Sequence, residues 1–418
     1  MSTKLIITSY NNKLISAKYV DDEIKSLTVC DNEHNISDIF IGRVENVVKS
    51  INACFIEFSN KQKGYYAFSE NKDHIFLNNK NNDLPNIGDK ILVQVKNPPH
   101  KTKPHTLSSK LEIPYKYLVL SRDVDGVLVS KKIKNDENVS NWAASLAYEL
   151  KLMNEELVRE LGSDFKDTRS KLSYGFIIRS NAVNANLTEL IDEAKHLHNT
   201  YKEILKTAIH GLFYTKVYES LPSYITEVNH LVAEEDFELV TDNKEAFSLI
   251  KNNCNLSDTR LRFYEDKLLP LYSLYSIKHN IDEALRRQVW LKSGAYLVIE
   301  ETEALTVVDV NSGKFVPKKG KDKDLSNYNV NIEAARATLT QLRLRNISGI
   351  IIVDFINMKD ESLNEDLLKY LKKEAKDDEV GVRIVDMTKL GLVEITRTKQ
   401  GQTLKERMGL ERNEELRD

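Results

Sequence analysis

The sequence is poor in cysteine, has no long hydrophobic run and carries little net charge, and each absence excludes a class of protein. Three scattered cysteines, Cys30, Cys54 and Cys254, occur in 418 residues without a CxxC pair. Their number and spacing argue against a disulfide framework and a cysteine zinc site, and favour a reducing cytoplasm. No apolar run approaches the roughly twenty residues of a membrane span, and the N-terminus lacks a signal-peptide pattern.

The formal net charge is only −3 at pH 7. Any binding of nucleic acid must therefore come from local basic patches rather than from the overall charge. The ordinary apolar fraction, 41%, predicts a folded chain, and the length predicts about two to four domains.

The stretch from Leu305 to Val316, LTVVDVNSGKFV, is the most informative in the chain. Its β-branched and apolar residues predict a buried strand, and Asn311–Gly313 predicts the turn that ends it. Because strand side chains alternate between faces, Asp309 and Asn311 share one face. A charge at the end of an apolar strand is costly unless it is paired or bound to a metal.

A second stretch, Ser348 to Met358, has the same design, with five apolar residues running into Asp354. The amphipathic run Ile332 to Arg345 lies between the two strands and predicts a β-α-β unit. Its parallel strands would bring Asp309 and Asp354 to one edge of a sheet, where two carboxylates suit a hard cation such as Mg²⁺. Aspartate at a strand end is also a common turn-former or helix cap, so the residues alone leave both interpretations open.

Long segments of the chain resemble the catalytic domain of the ribonuclease E/G family. They are WLKSGAYLVIEETEALTVVDVNSGKF, NIEAARATLTQLRLRNISGIIIVDFINM and GLVEITRTKQGQTLKERM. The resemblance implies that Asp309 and Asp354 hold Mg²⁺ and that Asn311 supports them in catalysis. It also implies an endoribonuclease that cleaves single-stranded RNA to 5′-phosphate and 3′-hydroxyl ends, in processing of rRNA and tRNA and in mRNA decay.

Residues 38–120 contain several short strand patterns with turn signals, which predict a small β-barrel. The segment IGRVENVVKSINACFIEFSNKQKGYYAFSE looks like an S1-type OB-fold, a common RNA-binding module. Phe55 shares a strand face with Glu57, and Tyr65 follows Gly64, so both aromatics are candidates for base stacking. Their spacing alone is equally compatible with simple cover for the barrel. The resemblance implies that both contact RNA.

The Pro-rich, basic segment Pro98 to Lys110 predicts a loop. Lysines there could touch phosphates or lie free in solvent. The resemblance places one basic RNA-contacting residue in this loop, and Lys103 aligns best with it.

A buried strand is predicted at Gly175 to Ile178, followed by Arg179 and Ser180. A guanidinium with a hydroxyl beside it can grip a phosphate, although a surface ion pair would explain the arginine equally well. The stretch GFIIRSNAVNA resembles the family's 5′-sensor, which implies that Arg179 and Ser180 recognise a 5′-monophosphate on RNA.

The predicted fold class is a multidomain α+β protein. The resemblance implies an RNase H-like subdomain with an inserted S1-type OB-fold barrel and 5′-sensor, followed by a DNase I-like α/β catalytic subdomain. The predicted boundaries are 1–37 and 218–285 for the two parts of the RNase H-like subdomain, 38–120 for the barrel, 121–217 for the 5′-sensor, 286–400 for the catalytic subdomain and 401–418 for a C-terminal tail.

The family typically continues past the catalytic domain into a CPxC motif, in which cysteines of two subunits share a zinc. Here LKERM passes into LERNEELRD, and no cysteine follows Cys254. We therefore expect no zinc, and a homodimer or homotetramer without a zinc link, while the aspartates lead us to expect Mg²⁺ as cofactor. The expected partner is single-stranded RNA, with no membrane segment and a cytoplasmic location. Two alternatives stay open from sequence: a non-catalytic RNA-binding protein of the same fold, and a metal-dependent DNA nuclease.

Overall fold

The fold is that of a computed structural model, which describes residues 2–30, 36–78, 84–99, 103–131, 133–134, 136–162, 165, 172–232, 237–254, 256–257, 259–315, 322–378, 380–399 and 401–410. The chain divides into two compact units. The first comprises residues 1–30, 236–251 and 256–418, and the second comprises residues 31–235 and 252–255. The second unit is thus inserted into the chain of the first. None of the described helices is both long and apolar enough to span a membrane.

The first unit contains a five-stranded sheet that joins the N-terminal segment to a much later one. Its strands, in order across the sheet, are β15 (Leu261–Phe263), β14 (Phe237–Thr241), β1 (Thr3–Tyr10), β2 (Lys13–Val20) and β3 (Glu23–Val29). Asn11 and Asn12 both have positive φ, as a two-residue hairpin turn between β1 and β2 requires. Strands β1 and β14 pair in parallel, with Thr3 opposite Phe237.

Four short helices belong to or follow this sheet: α4 (Lys244–Asn253), α5 (Leu271–Leu274), α6 (Ile277–Leu285) and α9 (Leu404–Arg407). Ile277 and Ile281 of α6 are buried in one cluster with Ile6 of β1 and Ile15 of β2. The apolar stripe of α6 therefore covers one face of the sheet.

The second sheet of the first unit carries the predicted aspartates. Its strands, in order across the sheet, are β16 (Gln288–Trp290), β17 (Tyr296–Glu301), β18 (Thr306–Asn311), β19 (Gly349–Asp354), β21 (Leu392–Arg397) and β20 (Val382–Met387). All neighbours pair antiparallel except β18 and β19, which are parallel. The β-α-β unit predicted around these two strands is confirmed.

Helices α7 (Asp322–Leu344) and α8 (Glu361–Glu374) cover one face of this sheet. Ala334, Leu339 and Leu342 of α7 are buried with Val308 and Val353 of the central strands. The sequence predicts the helix only from Ile332 onwards, but α7 begins ten residues earlier. Tyr328 and Val330 of this first part also pack on the core, while the polar residues around them hide the apolar periodicity.

The second unit contains a closed five-stranded barrel. Its strands are β4 (Ile39–Val48), β5 (Ala53–Ser59), β6 (Gln62–Ala67), β7 (Lys90–Asn97) and β8 (His105–Ser108), and β4 pairs with β7 to close it. The short strand β13 (Lys216–Tyr218) pairs antiparallel with the start of β4. Cys54, Ile56 and Phe58 point into the barrel core, as the predicted alternation requires.

The prediction of a loop from Pro98 to Lys110 is wrong for its second half, because His105–Ser108 is strand β8. This strand pairs with both β6 and β7, so it completes the barrel wall. Residues 100–102, which include part of the predicted loop, lie outside the described residues.

The rest of the second unit is a four-stranded sheet with helices. Its elements are β9 (Glu112–Pro114), β10 (Leu118–Ser121), β11 (Val127–Val129), β12 (Gly175–Ile178), α1 (Glu137–Leu161), α2 (Leu187–His210) and α3 (Ser223–Leu231). Leu146 and Leu150 of α1 and Leu197 and Tyr201 of α2 share a core with Phe176 of β12. The mixed α+β class with a barrel agrees with the prediction, while the finer subdomain names and boundaries stay predictions.

Candidate active site

The two predicted carboxylates lie side by side at one edge of the second sheet. Strands β18 and β19 pair so that Asp309 is directly opposite Asp354. Directly opposite residues project from the same face of a sheet, at a Cα separation of about 5 Å. Val308 and Val353, one residue earlier on each strand, point to the opposite face and are fully buried. The strand alternation predicted from sequence therefore sets the site.

Both carboxylates are exposed, and this corrects one step of the sequence argument. Asp309 and Asp354 lie on the face of the sheet opposite to the one that α7 and α8 cover. Their charges are not buried, so the cost of an unpaired buried charge does not apply to them. What distinguishes the pair is its register, which places two like charges next to each other in solvent. A bound cation would relieve their repulsion.

Asn311 lies two residues beyond Asp309 on the same strand face. Its side-chain Nδ2 donates a hydrogen bond of 2.7 Å to Oδ2 of Asp309. One oxygen of that carboxylate is thereby held by an amide of the same strand. The three predicted site residues are thus brought together.

The turn after Asn311 depends on Gly313, which has a φ of +52°. A Cβ at this position would lie 2.6 Å from the carbonyl oxygen of Gly294 and 3.0 Å from Cδ1 of Tyr296. The Tyr296 ring therefore packs against the turn where only glycine leaves room. The backbone N–H of Lys314 donates to the Gly294 carbonyl at 3.0 Å and joins this turn to the one before β17.

The donor set suits one kind of metal better than others. Within the residues that the structure describes, no group of three or more His, Cys, Asp or Glu side chains is placed to hold a metal. Two adjacent carboxylates fit Mg²⁺, which usually keeps several waters and binds one or two carboxylates together with substrate phosphates. Of the lysines that follow the first aspartate strand, Lys314 and Lys323 are exposed. Three others, Lys318, Lys319 and Lys321, lie outside the described residues.

In the barrel, Phe55 and Tyr65 form a cross-strand pair on β5 and β6. Their ring centroids are 6.0 Å apart at 65°, and both side chains are half-buried. Thr106, the neighbour of Tyr65 on β8, follows exposed Lys103 by three residues. The barrel therefore presents two adjoining aromatic rings on its outer side, as predicted.

Arg179 follows β12 and is tied to the segment before β10. Its Nη1 donates to the carbonyl of Tyr115 at 2.6 Å, and its backbone N–H donates to the carbonyl of Tyr117 at 2.8 Å. Burial lowers the pKa of the guanidinium, and the charge of nearby Glu193 opposes that shift. Ser180, half-buried, begins the 3₁₀ turn Ser180–Asn184.

Glu193 is a residue that the sequence reasoning missed. Its Oε1 accepts the backbone N–H groups of Tyr117 and Leu118, each at 2.7 Å, and the residue is only 6% exposed. Burial raises the pKa of this carboxyl to about 7, against the two hydrogen bonds, which favour the charged form. The signal was present in the sequence, because Glu193 interrupts the apolar stripe of α2 between Leu190 and Leu197.

Comparison with known proteins gives one consistent result. The model of a family described as the Ribonuclease E/G family matches residues 112–400. Ribonuclease G of Haemophilus influenzae is 28% identical over 387 residues, which are 88% of this chain and 73% of that protein. A ribonuclease E/G-like protein of Pyropia yezoensis is 28% identical over 99% of this chain and 78% of its own length. Ribonuclease E of Nostoc sp. is 29% identical over 98% of this chain, which spans 57% of that protein.

Proposed function

The chain belongs to the ribonuclease E/G family, and from that premise we propose that it is an Mg²⁺-dependent endoribonuclease acting on single-stranded RNA. The observation that carries the proposal is the register of Asp309 and Asp354, with Asn311 bonded to the first. Processing of rRNA and tRNA and decay of mRNA are the proposed roles. A reducing cytoplasm fits the three cysteines, which are buried and form no disulfide with one another.

In the proposed reaction, Asp309 and Asp354 would hold the cation. Asn311 holds Oδ2 of Asp309, which limits rotation of that carboxylate. When bound, Mg²⁺ supplies positive charge that makes water a better nucleophile and stabilises the charge that develops on the phosphate oxygens. Water oxygen bonds to phosphorus and the bond from phosphorus to the 3′ oxygen breaks. The proton lost by water is balanced by the one that the 3′ oxygen takes up, so the products are a 5′-phosphate and a 3′-hydroxyl.

Preference for unpaired RNA is proposed to come from the barrel. Phe55 and Tyr65 present adjoining rings on which unstacked bases can lie, and exposed Lys103 can contact a phosphate. A rigid duplex keeps its bases stacked on one another and cannot use these rings.

Stimulation by a 5′-monophosphate is proposed to come from Arg179 and Ser180. The bond from its Nη1 to the Tyr115 carbonyl orients the Arg179 guanidinium, and the bond from its backbone N–H to the Tyr117 carbonyl fixes the main chain at the end of β12. A hydroxyl directly after it in the chain adds a second donor for a phosphate oxygen. Assembly as a homodimer or homotetramer is a further part of the proposal.

The test is cleavage of a fluorescent single-stranded RNA in Mg²⁺ and in EDTA. We expect cutting only with Mg²⁺, and we expect Asp309→Asn to lower the rate by at least about 100-fold because it removes a metal-binding charge. Asp366→Asn is the matched control, since Asp366 is an exposed aspartate of α8 in the same unit. Wild-type cutting by Asp309→Asn at saturating Mg²⁺ would refute the mechanism. RNA binding with no cutting by the wild type would instead indicate a non-catalytic RNA-binding protein.

A second arm compares RNA with a 5′-monophosphate and RNA with a 5′-hydroxyl. The monophosphate should be cut faster by the wild type, and Arg179→Lys should reduce that preference because an ammonium lacks the planar fork of a guanidinium. Thermal unfolding of the variant separates this effect from loss of the Tyr115 contact. Equal rates on both RNAs with the wild type would remove the sensor assignment and leave the nuclease intact.

A further inference from the structure

Among the described residues, the face of the catalytic sheet opposite α7 and α8 carries two aromatic side chains at the edge that holds Asn311 and Asp354. Trp290, Asn311 and Asp354 are each the last residue of their strand, β16, β18 and β19. Both β16 and β18 are antiparallel to β17, and β18 is parallel to β19, so these three strands run in the same direction. Their carboxyl ends therefore meet at the same edge.

The register places an aromatic pair next to the carboxylate site. Trp290 is opposite Tyr296, and Tyr296 is opposite Asn311. Opposite residues share a face, so the indole, the phenol and the amide form a row across three neighbouring strands. With strands about 4.8 Å apart, Trp290 lies about 10 Å from the strand that carries Asp309.

The two rings differ in exposure in a way that suits binding of a planar ligand. Their centroids are 5.1 Å apart at 55°. Tyr296 is half-buried and held against the Gly313 turn, while Trp290 is 53% exposed. A fixed ring thus supports a second ring that still offers much of its surface to solvent.

Positive charge lies on the adjoining turns. Exposed Lys292 follows Trp290 by two residues, and exposed Lys314 follows the turn after Asn311. The bond between the Lys314 N–H and the Gly294 carbonyl holds these two turns together. A ligand of this edge would meet aromatic surface, cations and metal-binding carboxylates, which is the combination that a single-stranded polynucleotide uses.

We propose that Trp290, supported by Tyr296, is a stacking subsite for a nucleobase of the RNA next to the scissile phosphate. The inference builds on the proposed endoribonuclease function and adds to it a substrate contact on the catalytic sheet itself, separate from the aromatic pair of the barrel. Stacking on the indole positions the neighbouring phosphate over Asp309 and Asp354.

The decisive experiment uses RNAs that carry a single abasic nucleotide, moved one position at a time across the cleavage site. Wild-type protein should cut the RNA that lacks the stacked base about tenfold more slowly, since a base on an aromatic ring is commonly worth this much or more. Trp290→Ala should cut intact RNA about tenfold more slowly and show no further loss at that abasic position. Trp290→Phe should restore most of the rate.

Ile350→Ala is the matched control. Ile350 is 52% exposed on the same face of β19, but it lies four residues before Asp354, towards the opposite edge of the sheet. It should keep both the wild-type rate and the wild-type abasic pattern, and thermal unfolding of each variant tests whether it is folded. If Trp290→Ala retains the same abasic discrimination as wild type, the subsite is refuted while the nuclease stands.

Tryptophan fluorescence tests base stacking on Trp290 even if no RNA is cut. The chain has two tryptophans, Trp142 and Trp290, so Trp142→Phe leaves Trp290 as the sole indole. Single-stranded RNA should quench its fluorescence, and the same RNA with all bases abasic should not. Failure of the wild type to cut RNA would count against the proposed function alone. Absence of quenching by RNA that is shown to bind would refute the subsite.

Discussion

At the scale of single residues, the segment around Tyr117 is held by side chains that the chain supplies from two other places. Arg179 and Glu193 bind its carbonyl and amide groups respectively. Glu193 is the more unusual of the two, because it is a carboxyl on the buried stripe of a long helix. Its protonation couples the stability of this region to pH.

We expect Glu193→Gln to remove a pH dependence of stability. The folded-state pKa of Glu193 is raised from 4.5 to about 7, so the stability it contributes is fully present below about pH 4.5 and is lost as the pH rises through about 7. The size of that loss is about 3 kcal/mol. Glutamine still accepts the Tyr117 and Leu118 amides but cannot ionise. The variant should therefore gain stability relative to wild type as the pH rises from 4.5 to 8.

Urea unfolding of both proteins at several pH values measures this difference directly. Glu203→Gln is the control, since Glu203 lies on the exposed side of the same helix and forms an ion pair with Lys206. A difference between Glu193→Gln and wild type that stays constant with pH would contradict the prediction.

At the scale of secondary-structure elements, the ends of the strands and the turns that follow them position the candidate site residues. The turn after β18 directly follows Asn311 and packs against the Tyr296 ring. It is also hydrogen-bonded to the turn before β17. Gly313 is the residue on which this arrangement depends, because its backbone is left-handed and its surroundings leave no space for a Cβ.

Gly313→Ala should destabilise the protein and slow cleavage. The left-handed backbone costs alanine about 1–2 kcal/mol, and overpacking against Gly294 and Tyr296 adds about 1–3 kcal/mol. Gly409→Ala should show only the cost of the left-handed backbone, since Gly409 has a φ of +73° and no described atom lies within 4 Å of an added Cβ. Urea unfolding and cleavage rates measure both effects. Equal behaviour of the two variants would show that the turn can relax.

The sequence predicts elements well where the pattern is local. Alternation along β18 and β19 places Asp309, Asn311 and Asp354 on one face, and the helical run between them makes the pairing parallel. Prediction from sequence fails where the pairing strands are distant in the chain. Strand β8 is predicted as a loop because Pro and Lys surround it, yet β6 and β7 supply its hydrogen bonds. Exposure of the aspartates likewise depends on which face α7 and α8 cover, and the strand pattern does not encode that choice.

At the scale of the whole molecule, charge is nearly balanced, with a net value of −3. An RNA therefore meets no overall attraction and must rely on separate cationic residues. Four cationic residues are proposed to contact the RNA: Lys103, Arg179, Lys292 and Lys314.

We expect RNA affinity to fall with salt at a slope of about −3 in a plot of log K against log salt concentration. Each neutralised phosphate of a single strand contributes about −0.7, and four contacts are proposed. Fluorescence anisotropy at fixed Mg²⁺ measures the slope, with the Asp309→Asn variant used so that the RNA is not cut during the titration. Lys314→Gln should make it shallower by about 0.7, and exposed Lys369→Gln should leave it unchanged. A slope near zero would contradict phosphate contacts as the source of affinity.

The parallel pairing of β1 with β14 has a consequence for synthesis on the ribosome. About 200 residues, including the whole inserted barrel, separate the end of β3 from the start of β14. At about 5–20 residues per second, the edge of β1 waits about 10–40 s for its partner. The barrel and its neighbouring helices have time to fold in that interval. Strands β1 to β3 thus leave the ribosome long before their sheet is completed, and a chaperone that covers the β1 edge would act in that window.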